Sequence, residues 1–335
     1  MMPRPSADRS AYYVGYITAI SDHRASGERP QAESLAAAER LLERATEELG
    51  PHDAATLRIQ LVIEEARAHT RPSRESVAAF QQLAVLCQAH LLASDAVALS
   101  TRSNLAQHLR KAGDIDLGIK KYREELDLRK EMFGEHAHRT CVSRQNLAVA
   151  LRQKGTAAAL SEARELTRSE IATRDRIWGP DHSFTWVAII NLANQLLDVA
   201  EGRWGKKPQS RDAAREALTL ASDVYERRQK RFGPKHPSTL RAGRSKARAF
   251  TALGEHERAS WILWRTLAVE RSVGSDEPGE TELFLAMALS AQDDGARVRS
   301  LIAEALPLLE NHDEGHWRTR QAEDILARLR QNSPS

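Results

Sequence analysis

Cysteine, aromatic residues and long apolar runs are all scarce in this chain of 335 residues, and each shortage excludes a class of protein. The two cysteines, Cys87 and Cys141, cannot form a disulfide framework, so a reducing, cytoplasmic setting is expected. No apolar run approaches the roughly 20 residues that a membrane span needs. Met1 to Ser10 carry no apolar core, which argues against a secretory leader. Alternating β-branched runs are missing, so strands are not expected. Gly202-Arg-Trp-Gly-Lys-Lys207 is no phosphate loop: two residues rather than four separate the glycines, and no Ser or Thr follows the lysines directly. No Ser or Cys stands in a nucleophile motif, and the cysteines read as small core residues. Catalytic, cofactor and metal sites are therefore all expected to be absent. What the chain does have is 41% apolar residues and a net charge of +3, enough to fold.

An internal repeat organises the chain. Leu49-Gly-Pro-His-Asp-Ala-Ala-Thr56, Phe133-Gly-Glu-His-Ala-His-Arg-Thr140, Trp178-Gly-Pro-Asp-His-Ser-Phe-Thr185 and Phe232-Gly-Pro-Lys-His-Pro-Ser-Thr239 each place a Thr six residues after a Gly. Six residues further on stand Asn146-Leu-Ala, Asn191-Leu-Ala and Ser245-Lys-Ala, with Val62 in the other copy; Asn104-Leu-Ala belongs to a degenerate repeat. Gly113, Gly155 and Gly254 follow the Asn position by nine residues. Counted backward, Thr18 and Gly27 hold these two positions in a first repeat. The starts Gly50, Leu92, Gly134, Gly179, Gly233 and Ser275 are separated by 42, 42, 45, 54 and 42 residues. The expected units are 10–49, 50–91, 92–133, 134–178, 179–232, 233–274 and 275–317. Residues 318–331 would form a capping helix, and 1–9 and 332–335 flexible ends.

Each unit reads as two helices joined at the inner Gly, whose positive φ ends a helix. Ser34, Ser76, Gly118, Ala163, Ala217 and Ala259 stand 16 residues before the next unit and would let neighbouring backbones approach. The recurrent His52, His136, His182 and His236 read as helix entry and capping. His136-Ala-His138 lacks further ligands, and His312-Asp-Glu-Gly-His316 places its Glu one position late for a zinc-protease motif. Trp178 holds a packing position, and Trp261 and Trp264 are expected to pack between repeats. Trp204, in the longest insertion, has no core explanation.

On these motifs the chain resembles a tetratricopeptide array of the 42-residue, kinesin-light-chain-like type. The likeness covers residues 10–317 and is strongest from 92 to 274. That type is widespread in bacteria, alone or as an arm of larger signalling ATPases. A bacterial source also fits the 39 Arg against 10 Lys. The resemblance implies an all-α solenoid whose first helices line a concave groove. The groove residues would be the Asn of Asn-Leu-Ala and its neighbours at −4, −1, +3, +6 and +7. These are Ser100, Ser103, Asn104, Gln107, Arg110 and Lys111; then Val142, Gln145, Asn146, Val149, Arg152 and Gln153. In the next two repeats they are Val187, Ile190, Asn191, Asn194, Leu197 and Asp198, then Arg241, Arg244, Ser245, Arg248, Thr251 and Ala252.

Asn and Gln can grip an extended peptide backbone, and Arg241, Arg244 and Arg248 share a helical face that can fork onto carboxylates. The expected function is a non-catalytic scaffold or receptor for an acidic protein segment, as kinesin light chains bind acidic cargo. The plain alternative is that these polar residues solvate an exposed face. From Arg203 to Arg248 there are 14 Lys/Arg against 4 Asp/Glu, +10, which leaves −7 for the rest. Two rivals follow: a sensor of a small signalling peptide, and a nucleic-acid adaptor using 203–248, given less weight because that stretch has few aromatics.

Overall fold

The computed structural model describes residues 7–26, 31–68, 71, 73–202, 210–275, 277–290, 294–310 and 317–331. Among these it contains fifteen α-helices and no strand. The chain divides into two units, 1–154 and 155–335. The first holds α1 (Ala7–Ser26), α2 (Gln31–Leu49), α3 (Ala54–Arg67), α4 (Ser73–His90), α5 (Ala96–Lys111), α6 (Ile115–Phe133) and α7 (His138–Lys154). The second holds α8 (Ala157–Trp178), α9 (Ser183–Ala200), α10 (Arg211–Phe232), α11 (Pro237–Leu253), α12 (His256–Val273), α13 (Glu280–Leu289), α14 (Gly295–Glu310) and α15 (Trp317–Gln331). Helix α1 thus begins inside the stretch expected to be flexible. Gly27 and residues 332–335 lie outside the described residues.

Within each unit a helix packs mainly on its neighbours in chain order, and alternate helices also touch: α1 on α3 and α3 on α5, then α9 on α11, α11 on α13 and α13 on α15. Alternate helices thus form one layer in each unit, α1–α3–α5 in the first and α9–α11–α13–α15 in the second. The second layer is made by α2, α4 and α6 in the first unit and by α8, α10, α12 and α14 in the second. The core runs between layers, through Ile59, Ile63, Phe80 and Leu109 in unit one and Leu197, Val224, Leu263 and Phe284 in unit two.

The recurrent Gly and Thr have a common physical basis. Gly134, Gly179, Gly233 and Gly274 end their helices at φ from +81° to +90° and ψ from 160° to 168°. Only Gly occupies that region without strain. The turn exposes its carbonyl, and the Thr hydroxyl six residues on donates to it: Thr56 to Gly50 at 2.9 Å, Thr140 to Gly134 at 2.8 Å, Thr185 to Gly179 at 2.9 Å. The fourth such turn is centred on Gly274, not on Ser275 as the spacing suggested, so one residue is inserted before Thr281. His182 and His236 cap α9 and α11, each accepting on Nδ1 from a backbone N–H at 3.2 Å. The six small residues 16 before each start are buried. At Gly118, a Cβ would stand 3.0 Å from the carbonyl oxygen of Ala106, so α5 and α6 meet backbone to backbone.

A further bond recurs that the sequence did not suggest. Arg129, Arg174 and Arg228, near the ends of α6, α8 and α10, donate to the carbonyls of Arg139, Phe184 and Ser238 at 3.1, 2.5 and 2.8 Å. Each fastens one helix end to the start of the next. Glu125 and Glu170 pair with the first two at 2.8 and 2.6 Å. Arg228 has Val224 at the corresponding position. Burial, aided by nearby Arg241, pushes its guanidinium down to about 10.

Candidate functional site

In unit one, the exposed side of the α1–α3–α5 layer forms a cleft of about 480 Å³. Its apolar floor includes Ile17, Leu61, Val97 and Leu99, and its polar wall includes Arg58, Glu65, Ser100 and Arg139. Thr18 and Val62 stand in the lining at the repeat's Asn position, and Arg58 and Ser100 at −4. These lining positions belong to the degenerate N-terminal repeats. Arg58 is half-buried and has no carboxylate partner among the described residues. The exposed Arg139 packs over the Phe133 ring, 5.5 Å from its centre.

Many of the expected groove residues bond to one another. Asn104, at the Asn position, donates to Glu65, at +3 of the preceding repeat, at 2.8 Å. Ser245 does the same to Asn194 at 3.0 Å. Arg110 donates to Gln153 at 2.5 Å. Gln107 on α5 and Asn146 on α7 hold the corresponding +3 and Asn positions but have no such bond. They are half-buried, and their amides, like that of Asn191, have no partner among the described residues. Lys111, Gln145 and Arg152 are half-buried on the same helices.

At −1 and +6, the expectation is corrected for Ser103, Ile190, Leu197 and Arg244. They lie about 100–120° around the helix from the Asn, which turns them toward the second layer. Ile190 and Leu197 are buried, and Ser103 donates to Glu125 of α6 at 2.9 Å.

The expected trio of free arginines is corrected with them. Only Arg241 is exposed, and it pairs with Glu277 at 3.4 Å. The Arg244 side chain is 2% exposed and bonds Glu270 and Glu277, with Glu280 at 3.8 Å. The Arg248 side chain is 4% exposed; it reaches Glu201 at 2.7 Å and Asp198 at 3.3 Å, and accepts no external ligand in this arrangement. Arg318 of α15 pairs with Glu280. Burial alone would lower the Arg248 guanidinium, but Glu201 and Asp198 hold it above its ordinary value. Burial raises Glu270 and Glu280 despite these cations. Glu277, less enclosed, is lowered because Arg244, Arg241 and Arg318 outweigh its burial. The physical reason for the correction is the register: −1 enters the interlayer space, and the neighbouring first helix closes over +3.

Trp261 touches a residue of its own helix, whereas Trp264 meets the following repeat. They are 60% and 38% exposed, with Arg265 and Arg297 stacked on them at 4.6 and 5.6 Å. Cys87 and Cys141 are buried, and burial pushes the Cys87 thiol up. No described group of three or more His, Cys, Asp or Glu is placed to hold a metal. No described helix is long and apolar enough to cross a membrane. Trp204, most of the 203–211 insertion and the His312–His316 motif lie outside the described residues.

No protein-family model matches the chain, and no curated protein matches its sequence. Solved structures do match its fold. A kinesin-light-chain-type protein from Podosopora anserina with nearly identical tetratricopeptide-like repeats is 20% identical over 65% of this chain and 96% of its own, at a TM-score of 0.52. BtubC (BKLC) from P. vanneervenii is 17% identical over 75% and 94%, at 0.56. A tetratricopeptide repeat protein from Parabacteroides merdae is 12% identical over 96% and 99%, at 0.59.

Proposed function

We propose that this chain, which has the all-α tetratricopeptide-repeat fold, is a non-catalytic platform that binds an acidic segment of another protein in the cleft of unit one. The observation that carries this reading is the cleft itself: an apolar floor beside two arginines, Arg58 and Arg139, that no carboxylate of the described residues neutralises. Apolar side chains of a ligand would enter the floor, and its carboxylates would meet the guanidinium forks. Farther along the same register, the amides of Gln107 and Asn146, without a partner among the described residues, can satisfy an extended main chain, each offering a donor and an acceptor. The acidic preference thus moves from Arg241, Arg244 and Arg248 to Arg58 and Arg139. A cytoplasmic location and a signalling role remain part of the proposal.

The test is a peptide array in which acidic residues alternate with leucines, beside matched arrays with Gln or Lys in place of the acids. The acidic series should bind, and Arg58→Ala with Arg139→Ala should weaken it about tenfold, since two partly exposed pairs contribute ~0.2–1 kcal/mol each and more where water leaves. Equal binding of all three series, or an unaffected double variant, would overturn the reading.

A further inference from the structure

The basic stretch of the second unit contains few aromatic residues, yet the fold brings aromatic rings to it from outside. The α8–α9 turn carries Trp178, His182 and Phe184, whose rings pack within 5.0–5.6 Å of one another. The next turn carries Phe232 and His236, stacked at 4.7 Å. Trp186 touches Phe232 edge-on at 6.1 Å and so joins the two groups. Arg231 sits over both of those rings, at 5.8 and 5.7 Å, and donates to the Asp181 carbonyl of the first turn at 3.3 Å. The two ring groups therefore form one ribbon along the edge of the stack where second helices turn into first helices. Phe184 and Phe232 are 40% and 37% exposed, so ring surface remains open to solvent.

Charge accompanies the rings. Asp181 and Asp223 are both taken up by Arg227, at 2.8 and 2.9 Å. Lys230, Arg231 and Lys235 are exposed and have no carboxylate partner among the described residues. The ribbon thus pairs open aromatic surface with about three unneutralised cations.

We propose that this edge of unit two binds single-stranded nucleic acid, with bases against Phe184 and Phe232 and phosphates against Lys230, Arg231 and Lys235. Rings and cations interleaved on one surface suit a ligand that repeats flat π faces and negative charge. A duplex hides its base faces, and a simple acidic peptide has no planar faces for the rings. This surface is separate from the cleft of unit one and does not depend on the peptide reading.

The probe is a fluorescein-labelled oligothymidylate of about 20 nucleotides, titrated with the full chain and followed by anisotropy. Three phosphate contacts give a slope near −2, so raising salt from about 50 to about 200 mM should weaken binding about twentyfold. Phe184→Leu with Phe232→Leu keeps an apolar side chain at both turns and should cost at least tenfold, with helicity unchanged. Lys230→Glu with Lys235→Glu, at two exposed positions, should cost as much and flatten the salt slope; it serves if the leucine variant misfolds. Arg58→Ala with Arg139→Ala should leave strand binding unchanged. The proposal is overturned if the native chain does not bind the strand at low salt, or if both edge variants bind like it. It also fails if duplex DNA binds equally well, or if a polyglutamate of the same length displaces the strand at equal concentration.

Discussion

Replacing Arg244 with Ala removes the cation that ties α11 to α12, to the following turn and to α13. The Arg244 side chain is 2% exposed, and two of its partners, Glu270 and Glu280, are 5% and 6% exposed. The variant leaves those carboxylates in a space from which water is largely excluded. Breaking a buried pair by removing one partner costs about 3–5 kcal/mol. In a repeat stack the cost falls on the neighbouring elements rather than on the whole chain. Local opening of α13 to α15 should therefore become about two to four powers of ten more frequent, while α9 and α10 keep most of their protection. Amide hydrogen exchange resolved by segment is the assay.

The pH dependence sharpens the test. Burial already raises Glu270 and Glu280 in the native chain, with Arg244 opposing it. Without Arg244 both rise further. A carboxyl whose folded value exceeds its unfolded one binds more protons when folded, so its contribution to stability is present at low pH and lost as pH rises through the folded value. The deficit of the variant should thus shrink as pH is lowered from neutrality toward the ordinary carboxylate range. Unchanged protection in α13 to α15, or a deficit that grows on acidification, would refute the account. Because of this cost, a combined Arg241, Arg244 and Arg248 alanine variant reports folding and not ligand binding.

Three other outcomes are expected. Gly118→Ala gains about 1 kcal/mol of helix propensity but forces a Cβ against the Ala106 carbonyl and the Arg110 amide at 3.0 and 3.3 Å; with overpacking at ~1–3 kcal/mol, the denaturation midpoint should stay level or fall, and a rise would contradict the close approach. Thr185→Val should cost about 1 kcal/mol by removing the bond to Gly179. Thr239→Val should cost little, because that buried hydroxyl has no partner among the described residues; equal losses in urea melts would sink the distinction. The Cys87 thiol, raised by burial, should react with a thiol reagent far more slowly in the folded chain than in urea, and comparable rates would show that the α4–α5 contact is open.

The turns were legible because each is local: Gly at an αL-side turn, the Thr that binds its carbonyl six residues on, and a small residue where helices touch all repeat within one unit. The site was less legible, for two physical reasons. Position along a helix sets an angle but not what closes over it, so Arg244 and Arg248 matched the groove pattern while their partners came from other elements. Glu270 and Glu277 lie 26 and 33 residues from Arg244, and Glu277 sits in a turn with no counterpart in the repeat motif. The cleft, conversely, lies where the motif is worn, with Thr18 and Val62 in place of Asn. The Arg staple at 129, 174 and 228 was present as a recurrence five residues before each Gly, and could have been found by aligning helix ends as well as helix starts.

A polar groove in a repeat protein has two uses for its side chains, and one position cannot serve both at once. Asn104 with Glu65, and Ser245 with Asn194, spend their hydrogen bonds on the next repeat. Such bonds hold successive first helices in register, and a ligand could take them only by breaking them, exchanging one bond for another at little net gain. On the proposed reading, binding strength comes from where the ladder is interrupted. In unit one the interruptions are Gln107 and Asn146, whose amides have no partner among the described residues, and the apolar floor beside Arg58 and Arg139. The cleft is lined from the degenerate repeats, two of which carry Thr18 and Val62 where the motif has Asn.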